Sequence, residues 1–428
     1  MPTCYETMDD AALARETERL QADVDALAAQ GLTLDMARGK PSPAQVDLSR
    51  PVLDVLTSES SLTDDGVDAA NYGAPDGLPS ARRLMAEVLE VDPAHVIVAG
   101  SSSLNLMYDL VGHAFTRGVR GATPWSELDE VKFLCPAPGY DRHFAVTEHF
   151  GVTNVPVPMT ETGPDMDLVE RLVETDPTVK GIWCVPKYQN PTGVTFSDET
   201  VRRFAGLRPA AEDFRIYWDN AYVVHGLYDQ DDELLNIFDV LAETGREDLV
   251  YEFASTSKVT FPGSGIACVA ASPKDLDDIR LSSNIQRVCS DKITQLMHVR
   301  YFSGREAVVD HMALMAEVLR PKFELVEQKL TDGLAGLDVA TWTNPRGGYF
   351  VSFDGPDGSA KRIVAMCREV GVTLTGAGAT WPYGDDPRDS NIRIAPSYPT
   401  LEELGQALDV LVACTKLVAG QLAAEARA

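Results

Sequence analysis

Residues 249–258 read Leu-Val-Tyr-Glu-Phe-Ala-Ser-Thr-Ser-Lys. Six residues suited to a buried strand run into three hydroxyls and a lysine. Valine, tyrosine and phenylalanine favour a pleated, packed conformation, so the run predicts a strand whose polar tail lies just past its end. The same pattern recurs upstream. HVIVAG (95–100) leads to Ser101-Ser102-Ser103, GIWCVP (181–186) leads to Lys187 and then Asn190-Pro191-Thr192-Gly193, and FRIYW (214–218) leads to Asp219-Asn220-Ala221-Tyr222. Further strands are expected at KFLCP (132–136), GVTNVPVP (151–158) and GIACVAAS (265–272). Helical patterns at 79–90, 103–117, 141–150, 166–175 and 197–206 separate them. Short apolar strands alternating with helices predict an α/β fold built on a mainly parallel sheet covered on both faces. In such sheets a ligand binds beyond the carboxyl ends of the strands.

Outward from this region the texture changes. Residues 303–330 form a long helical pattern containing Pro321, which is expected to kink it. Beyond it, GGYFVSF (347–353) and NIRIAP (391–396) read as strands, and 359–370 and 400–426 as helices. At the other end, Leu13, Leu20, Val24 and Leu27 recur on one face of a helix over 9–30, with Gly31 after it. The expected division is an N-terminal segment (1–60) packed on a small domain, a large domain (61–310) with a seven-stranded type of sheet, and a smaller α+β domain (311–428).

The formal net charge of −28 opposes binding to nucleic acid or anionic lipid. Seven cysteines, an odd number without a Cys-x-x-Cys pair, fit reduced thiols in a cytoplasmic protein. The histidines are scattered, so no metal site is expected. The acidic N-terminus lacks a signal-peptide layout. No apolar stretch was found to approach the ~20 residues that span a bilayer.

Each strand-end group has an ordinary explanation. Ser101, Ser102 and Ser103 suit an anion at a helix N-terminus, or a plain helix cap. Asn190-Pro191 is a turn signal. Asp219 is either a cap or a buried carboxylate in need of a cation. Lys258 is either a surface residue or an amine made nucleophilic by desolvation. Together they suit pyridoxal phosphate, which needs a lysine for its aldehyde, an acid for its pyridinium nitrogen and a cup for its phosphate.

NPTG (190–193), DNAY (219–222), STSK (255–258), PRGGYF (345–350) and IRIAP (392–396) follow in an order and spacing that resemble the class I/II aminotransferases of fold type I. RGKPSP (38–43), NYGAPDG (71–77) and PAPGYDRHF (136–144) resemble the bacterial type Ic aspartate aminotransferase branch. The resemblance implies the following roles. Lys258 carries the cofactor and moves protons, and Asp219 keeps the pyridine nitrogen protonated. Asn190 and Tyr222 bond the phenolic oxygen, and Tyr140 stacks on the ring. Ser101, Ser102, Ser103, Ser255 and Ser257 hold the phosphate, with Tyr72 arriving from a second subunit of a homodimer. Arg393 clamps the substrate α-carboxylate, and Gly39 lies near the substrate. Arg287 from the neighbouring subunit, or less strongly Lys40, is the candidate for a side-chain carboxylate.

The implied reaction is transamination between an amino acid, with L-aspartate the best guess, and 2-oxoglutarate. Alternatives on the same scaffold are a β-lyase or aminocyclopropane-carboxylate-synthase-like activity, or a non-catalytic sensor. One departure stands out. The family places an arginine, paired with the phosphate, about eight residues after the lysine, and here Ser264, Gly265 and Ile266 occupy that stretch.

Overall fold

Residues 3–427 are described by the structure, a computed structural model. Helix α1 (Asp10–Ala28) starts where the Asp9 carboxylate accepts the N–H of Ala12, and it buries Leu13, Leu20 and Val24. The large sheet has strands β1 (Val96–Val98), β2 (Lys132–Ala137), β3 (Thr153–Thr160), β4 (Gly163–Pro164), β5 (Val179–Cys184), β6 (Arg215–Asp219), β7 (Val250–Ser255) and β8 (Ala267–Ala270). Their order across the sheet is β1-β8-β7-β6-β5-β2-β3-β4. The five strands from β7 to β3 run parallel. This agrees with the expected mainly parallel α/β sheet. The eighth strand, absent from the sequence reading, is the two-residue edge β4, antiparallel to β3. Strand β8 lies antiparallel to both β7 and β1. The loop between β7 and β8 is too short for the crossover that a parallel pair demands, so the chain turns back on itself.

Every residue of β6 is buried, as expected of a central strand covered on both faces. Phe133, Trp183, Tyr217 and Phe253 fill one face, together with helix α2 (Ser103–Arg117). Ile216, Trp218, Phe204 and Phe214 fill the other. Alternation along β6 puts Asp219 on the same face as Tyr217. Helix α3 (Asp141–His149) follows β2, and helix α4 (Pro273–Gln286) follows β8.

Helix α5 (Arg305–Leu334) carries Val308, Met312 and Met315 into a cluster with Leu84 and Val88. Its later turns carry Phe323, Val326 and Leu330 into a separate core. The helix runs on through Pro321, where the sequence predicts a kink. Packing on both sides holds the turn together despite the missing N–H.

The second core is built on an antiparallel sheet, β9 (Thr341–Trp342), β10 (Val351–Asp354) and β11 (Asn391–Ile394). Helix α6 (Ala360–Val370) and helix α7 (Leu401–Glu425) share its core, and α1 packs on both of them. Contrary to the sequence reading, α7 is long and apolar enough by length and composition to cross a membrane. Its apolar residues pack instead in this core, against α1, α5 and α6.

Leu34-Asp35 pairs in parallel with Val372-Thr373, tying the N-terminal segment to this unit. The seam depends on Gly371, which ends α6 at φ +107° and whose missing Cβ would lie 2.0 Å from the Leu32 carbonyl oxygen. Gly371→Ala is expected to cost about 1–3 kcal/mol from backbone strain. A lowered denaturation midpoint, with proteolytic nicking near Leu32, would register it.

Candidate active site

The carboxyl ends of β5, β6 and β7 open into a cavity of about 410 Å³. Gly39, Tyr140, Asn190, Asp219, Tyr222, Lys258 and Arg393 all line it. These residues, singled out from the sequence, come from widely separated stretches.

Lys258 follows β7 on a tight turn, and its Nζ lies 4.9 Å from the centre of the Tyr222 ring. Burial lowers the pKa of this amine below the ordinary lysine value, partly opposed by the charge of Asp219. Burial also pushes the Tyr140 hydroxyl up to about 12, with the Asp219 charge adding to it, and raises that of Tyr222.

Asp219 ends β6 and is 3 % exposed. Its Oδ2 lies 3.1 Å from His143 Nε2, while its Oδ1 is buried without a partner among the described residues. A buried carboxylate oxygen left unpaired is costly, so it marks a place for a donor on a bound molecule. His143 was not identified from the sequence. It stacks on Trp183 at 4.6 Å and meets the Tyr140 ring edge-on at 4.9 Å. Its signal was present: it lies one helical turn after Tyr140 in PAPGYDRHF.

Arg393, on β11, is 7 % exposed and stacks over Phe350 at 4.9 Å. Its Nη1 donates to Asp141 Oδ1 at 2.8 Å and to Asn190 Oδ1 at 3.3 Å, while its Nε is buried without a partner among the described residues. One edge of the guanidinium is therefore uncommitted and could take a two-pronged carboxylate. Gly39 lies against the same Phe350 ring, where a Cβ would come within 2.3 Å of Cζ. Arg38 and Arg142, which the sequence reading passed over, also line the cavity.

The serines gather on the Lys258 turn and at the N-terminus of α2. Ser257 Oγ donates to the Ser101 carbonyl at 2.8 Å, and Ser255 Oγ donates to Ser257 Oγ at 3.2 Å. Ser102 occupies the N-cap position of α2 but makes no side-chain capping bond, and Ser103 opens the helix. Hydroxyls and helix N–H groups there suit an anion. The stretch without the family's arginine is zipped onto the lysine turn, with Ile266 N donating to Thr256 Oγ1 at 2.9 Å.

Three buried histidines surround that turn. His298 bonds Thr256 Oγ1 at 3.1 Å and Thr260 Oγ1 at 2.8 Å, and His311 bonds the Val259 carbonyl at 2.9 Å. His225 packs edge-on against Tyr222 and Tyr349, and neither of its ring nitrogens has a hydrogen-bond partner among the described residues. Burial lowers all three pKa values, that of His225 to about 3, with Lys258 adding to the effect at His225. Each folded-state value lies below that of the unfolded chain. The stability from keeping these rings neutral is thus complete above about pH 6.5 and is lost as pH falls, for His225 down to about 3. For His225, unfolding free energy should fall by up to about 1.4 kcal/mol per pH unit between about pH 6.5 and 3. Denaturation midpoints of wild type and His225→Gln between pH 7 and 5 check this, since the variant should show the shallower slope.

Two residues picked from the sequence stand apart from the cavity within one chain. Tyr72 is 79 % exposed, on a loop fixed by Lys292 Nζ, which donates to the carbonyls of Asn71 (2.6 Å) and Gly73 (3.1 Å). Arg287 caps α4, 3.9 Å from Asp109, and lines a different cavity of about 240 Å³. Lys40, the fainter candidate, rests its ammonium over Tyr398 at 3.8 Å.

A family model described as aspartate amino-transferase matches residues 8–427. An aspartate aminotransferase of Corynebacterium glutamicum is 40 % identical over 405 residues, covering 94 % of each chain. A crystal structure of an aspartate transaminase from the same organism superposes with a TM-score of 0.95 at 39 % identity, over 98 % of this chain and 99 % of that one. The α-aminoadipate aminotransferase LysN of Thermus thermophilus, solved with N-(5'-phosphopyridoxyl)-L-leucine, shares the fold at 22 % identity, with a TM-score of 0.72 over 94 % and 97 % of the two chains. By sequence over nearly its whole length and by fold, this chain belongs to the aspartate aminotransferase family and is an aminotransferase.

Proposed function

We propose that this aminotransferase moves an amino group between L-aspartate and 2-oxoglutarate, with pyridoxal phosphate carried on Lys258. The observation that carries the reading is one cavity holding a desolvated amine, a carboxylate with one unpartnered oxygen and a guanidinium with one free edge.

The residues fit the cofactor. Lys258 would hold it covalently, and Asp219 Oδ1 would accept a hydrogen bond from its protonated ring nitrogen, with His143 fixing the carboxylate through Oδ2. Tyr140, Asn190 and Tyr222 would surround the ring, and Ser101, Ser102, Ser103, Ser255 and Ser257 would hold the phosphate. When bound, the cofactor supplies an electron sink for the charge left at a deprotonated Cα. The lowered pKa of Lys258 raises the neutral fraction of its Nζ, the form that can take the Cα proton of a substrate. Arg393 holds the α-carboxylate on its Nε edge and so presents that Cα to the amine.

A homodimer in the cytoplasm completes the reading, with Tyr72 and Arg287 offered to the neighbouring subunit. Their separation from the cavity supports it, as do exposed Leu281, Ile285 and Val288 at one-turn spacing along α4 and just past its end.

The test is an amino-donor screen of the purified protein against 2-oxoglutarate, with product analysis. Glutamate formed fastest from aspartate supports the proposal. Ammonia and pyruvate would mark a lyase instead, and a bound cofactor without turnover would mark a sensor.

A further inference from the structure

Glu252 places an acid in the middle of a buried strand. It alternates along β7 with Tyr251 and Phe253, so it points to the other face, where Val250 and Ala254 are core and Trp218 of β6 lies beside it. It is 3 % exposed, and no cation pairs with it among the described residues. Asn220 Nδ2 donates to its Oε1 at 2.9 Å. Asn220 is itself 5 % exposed, and its Oδ1 is buried without a partner among the described residues. A buried carboxyl without a cation and a buried amide oxygen without a donor are both costly. Together they mark a place for a ligand that brings N–H groups.

Both residues line a cavity of about 570 Å³ that backs onto the first: Asp219 faces one, and the next residue, Asn220, faces the other. Leu89, Val223, Leu235 and Ile237 give it apolar walls. Its mouth is the loop Asp-Gln-Asp-Asp-Glu at 229–233. The two cations in the lining are already engaged. Lys187 Nζ donates to Asp231 Oδ2 at 2.7 Å and to the Val223 carbonyl at 3.1 Å, and Arg305 lies 3.6 Å from Glu90. Arg346 lies 3.5 Å from Asp232, which leaves Asp229 and Glu233 without an ion pair among the described residues. No cluster of acidic, histidine or cysteine side chains among the described residues could hold a metal ion.

We propose that this cavity is a second binding site, for an aliphatic diammonium ion. Its inner ammonium docks on Asn220 Oδ1 and Glu252, its methylenes lie along the apolar walls, and its outer ammonium meets Asp229 and Glu233. An ammonium has three N–H donors, enough for both buried acceptors. Burial pushes the Glu252 carboxyl up to about 8, against the Asn220 bond and with the charge of Glu90 adding to it. The other titratable groups facing it are Lys187 and Arg305, engaged as above, and the Cys268 thiol on β8, which burial keeps protonated. A bound ammonium selects the ionised carboxylate, so binding releases a proton near neutral pH and tightens as pH rises toward about 8. The site does not depend on the transaminase reading.

The test is calorimetric titration of the holoenzyme with cadaverine. Its lysine–cofactor linkage is first reduced with borohydride, so that an amine cannot displace Lys258. One cadaverine should bind per chain in the millimolar range or tighter. Affinity should rise by up to about tenfold per pH unit between pH 6 and 8. Glu252→Gln keeps the shape and the Asn220 bond but removes the charge. It should weaken binding by about 10- to 100-fold and flatten the pH dependence. The exposed double variant Asp229→Asn/Glu233→Gln should weaken binding by about 2- to 5-fold, and pentylamine, with one ammonium, should lose a similar factor on wild type. Asp357→Asn, a surface acid paired with Arg388, is the charge control and should match wild type. Absence of binding, wild-type affinity in Glu252→Gln, an equal loss in Asp357→Asn, or magnesium chloride binding as tightly as cadaverine would each overturn the proposal. A protein that takes up no cofactor would refute the transaminase reading, and the same titration would still decide the second cavity.

Discussion

Lys258→Ala should abolish transamination, by about 10⁴-fold or more, because in the proposed reaction one substitution removes both the covalent anchor and the general base. Reduction with borohydride should fix cofactor to the Lys258 peptide in wild type and leave the variant unlabelled. The fold should survive. The contact of this desolvated amine with Tyr222 is worth about 2 kcal/mol when charged, and the cost of burying the ammonium opposes it, so thermal midpoints of the two proteins should lie close together. A variant with normal turnover and a labelled peptide elsewhere would end the assignment.

Asp219→Asn should be the second most damaging change, lowering kcat by about 10²–10³-fold, the usual consequence of losing one preorganised electrostatic partner. The amide keeps the shape of the carboxylate and can still meet His143. It cannot hold a proton on a ring nitrogen as an anion does. Asp219→Ala additionally strips His143 of its partner at 3.1 Å, in a place where both groups are buried. Comparing the two separates charge from packing: the asparagine variant should retain near-normal stability and lose rate, whereas alanine should lose both. Stopped-flow measurement of a single half-reaction gives the rate without product release. An asparagine variant at full speed would show that the carboxylate charge is not used.

Much of this was readable in the sequence because strand ends carry their own punctuation. Asp219, Lys258 and Ser101 each follow an apolar run, and the boundaries of α2 fall where the periodicity set them. What escaped the sequence depends on which side chains meet across elements. The reversal of β8 follows from the length of a loop and not from the composition of GIACVAAS. His143 lacked meaning until the register of β6 and β5 placed Trp183 and Asp219 beside it. Arg38 and Arg142 look like ordinary surface arginines in sequence, and only the approach of the 35–40 loop to α3 gives them a shared cavity. Pro321 does not end its helix because two cores grip it on either side.

The ion pair between Asp141 and Arg393 bears on how the enzyme lets go of what it binds. Any carboxylate docking on the free guanidinium edge shares that cation with a resident rival 2.8 Å away. The neighbouring negative charge weakens the attraction for an incoming anion. In a ping-pong cycle, where two different acids must leave the same seat in turn, a looser hold favours throughput over retention.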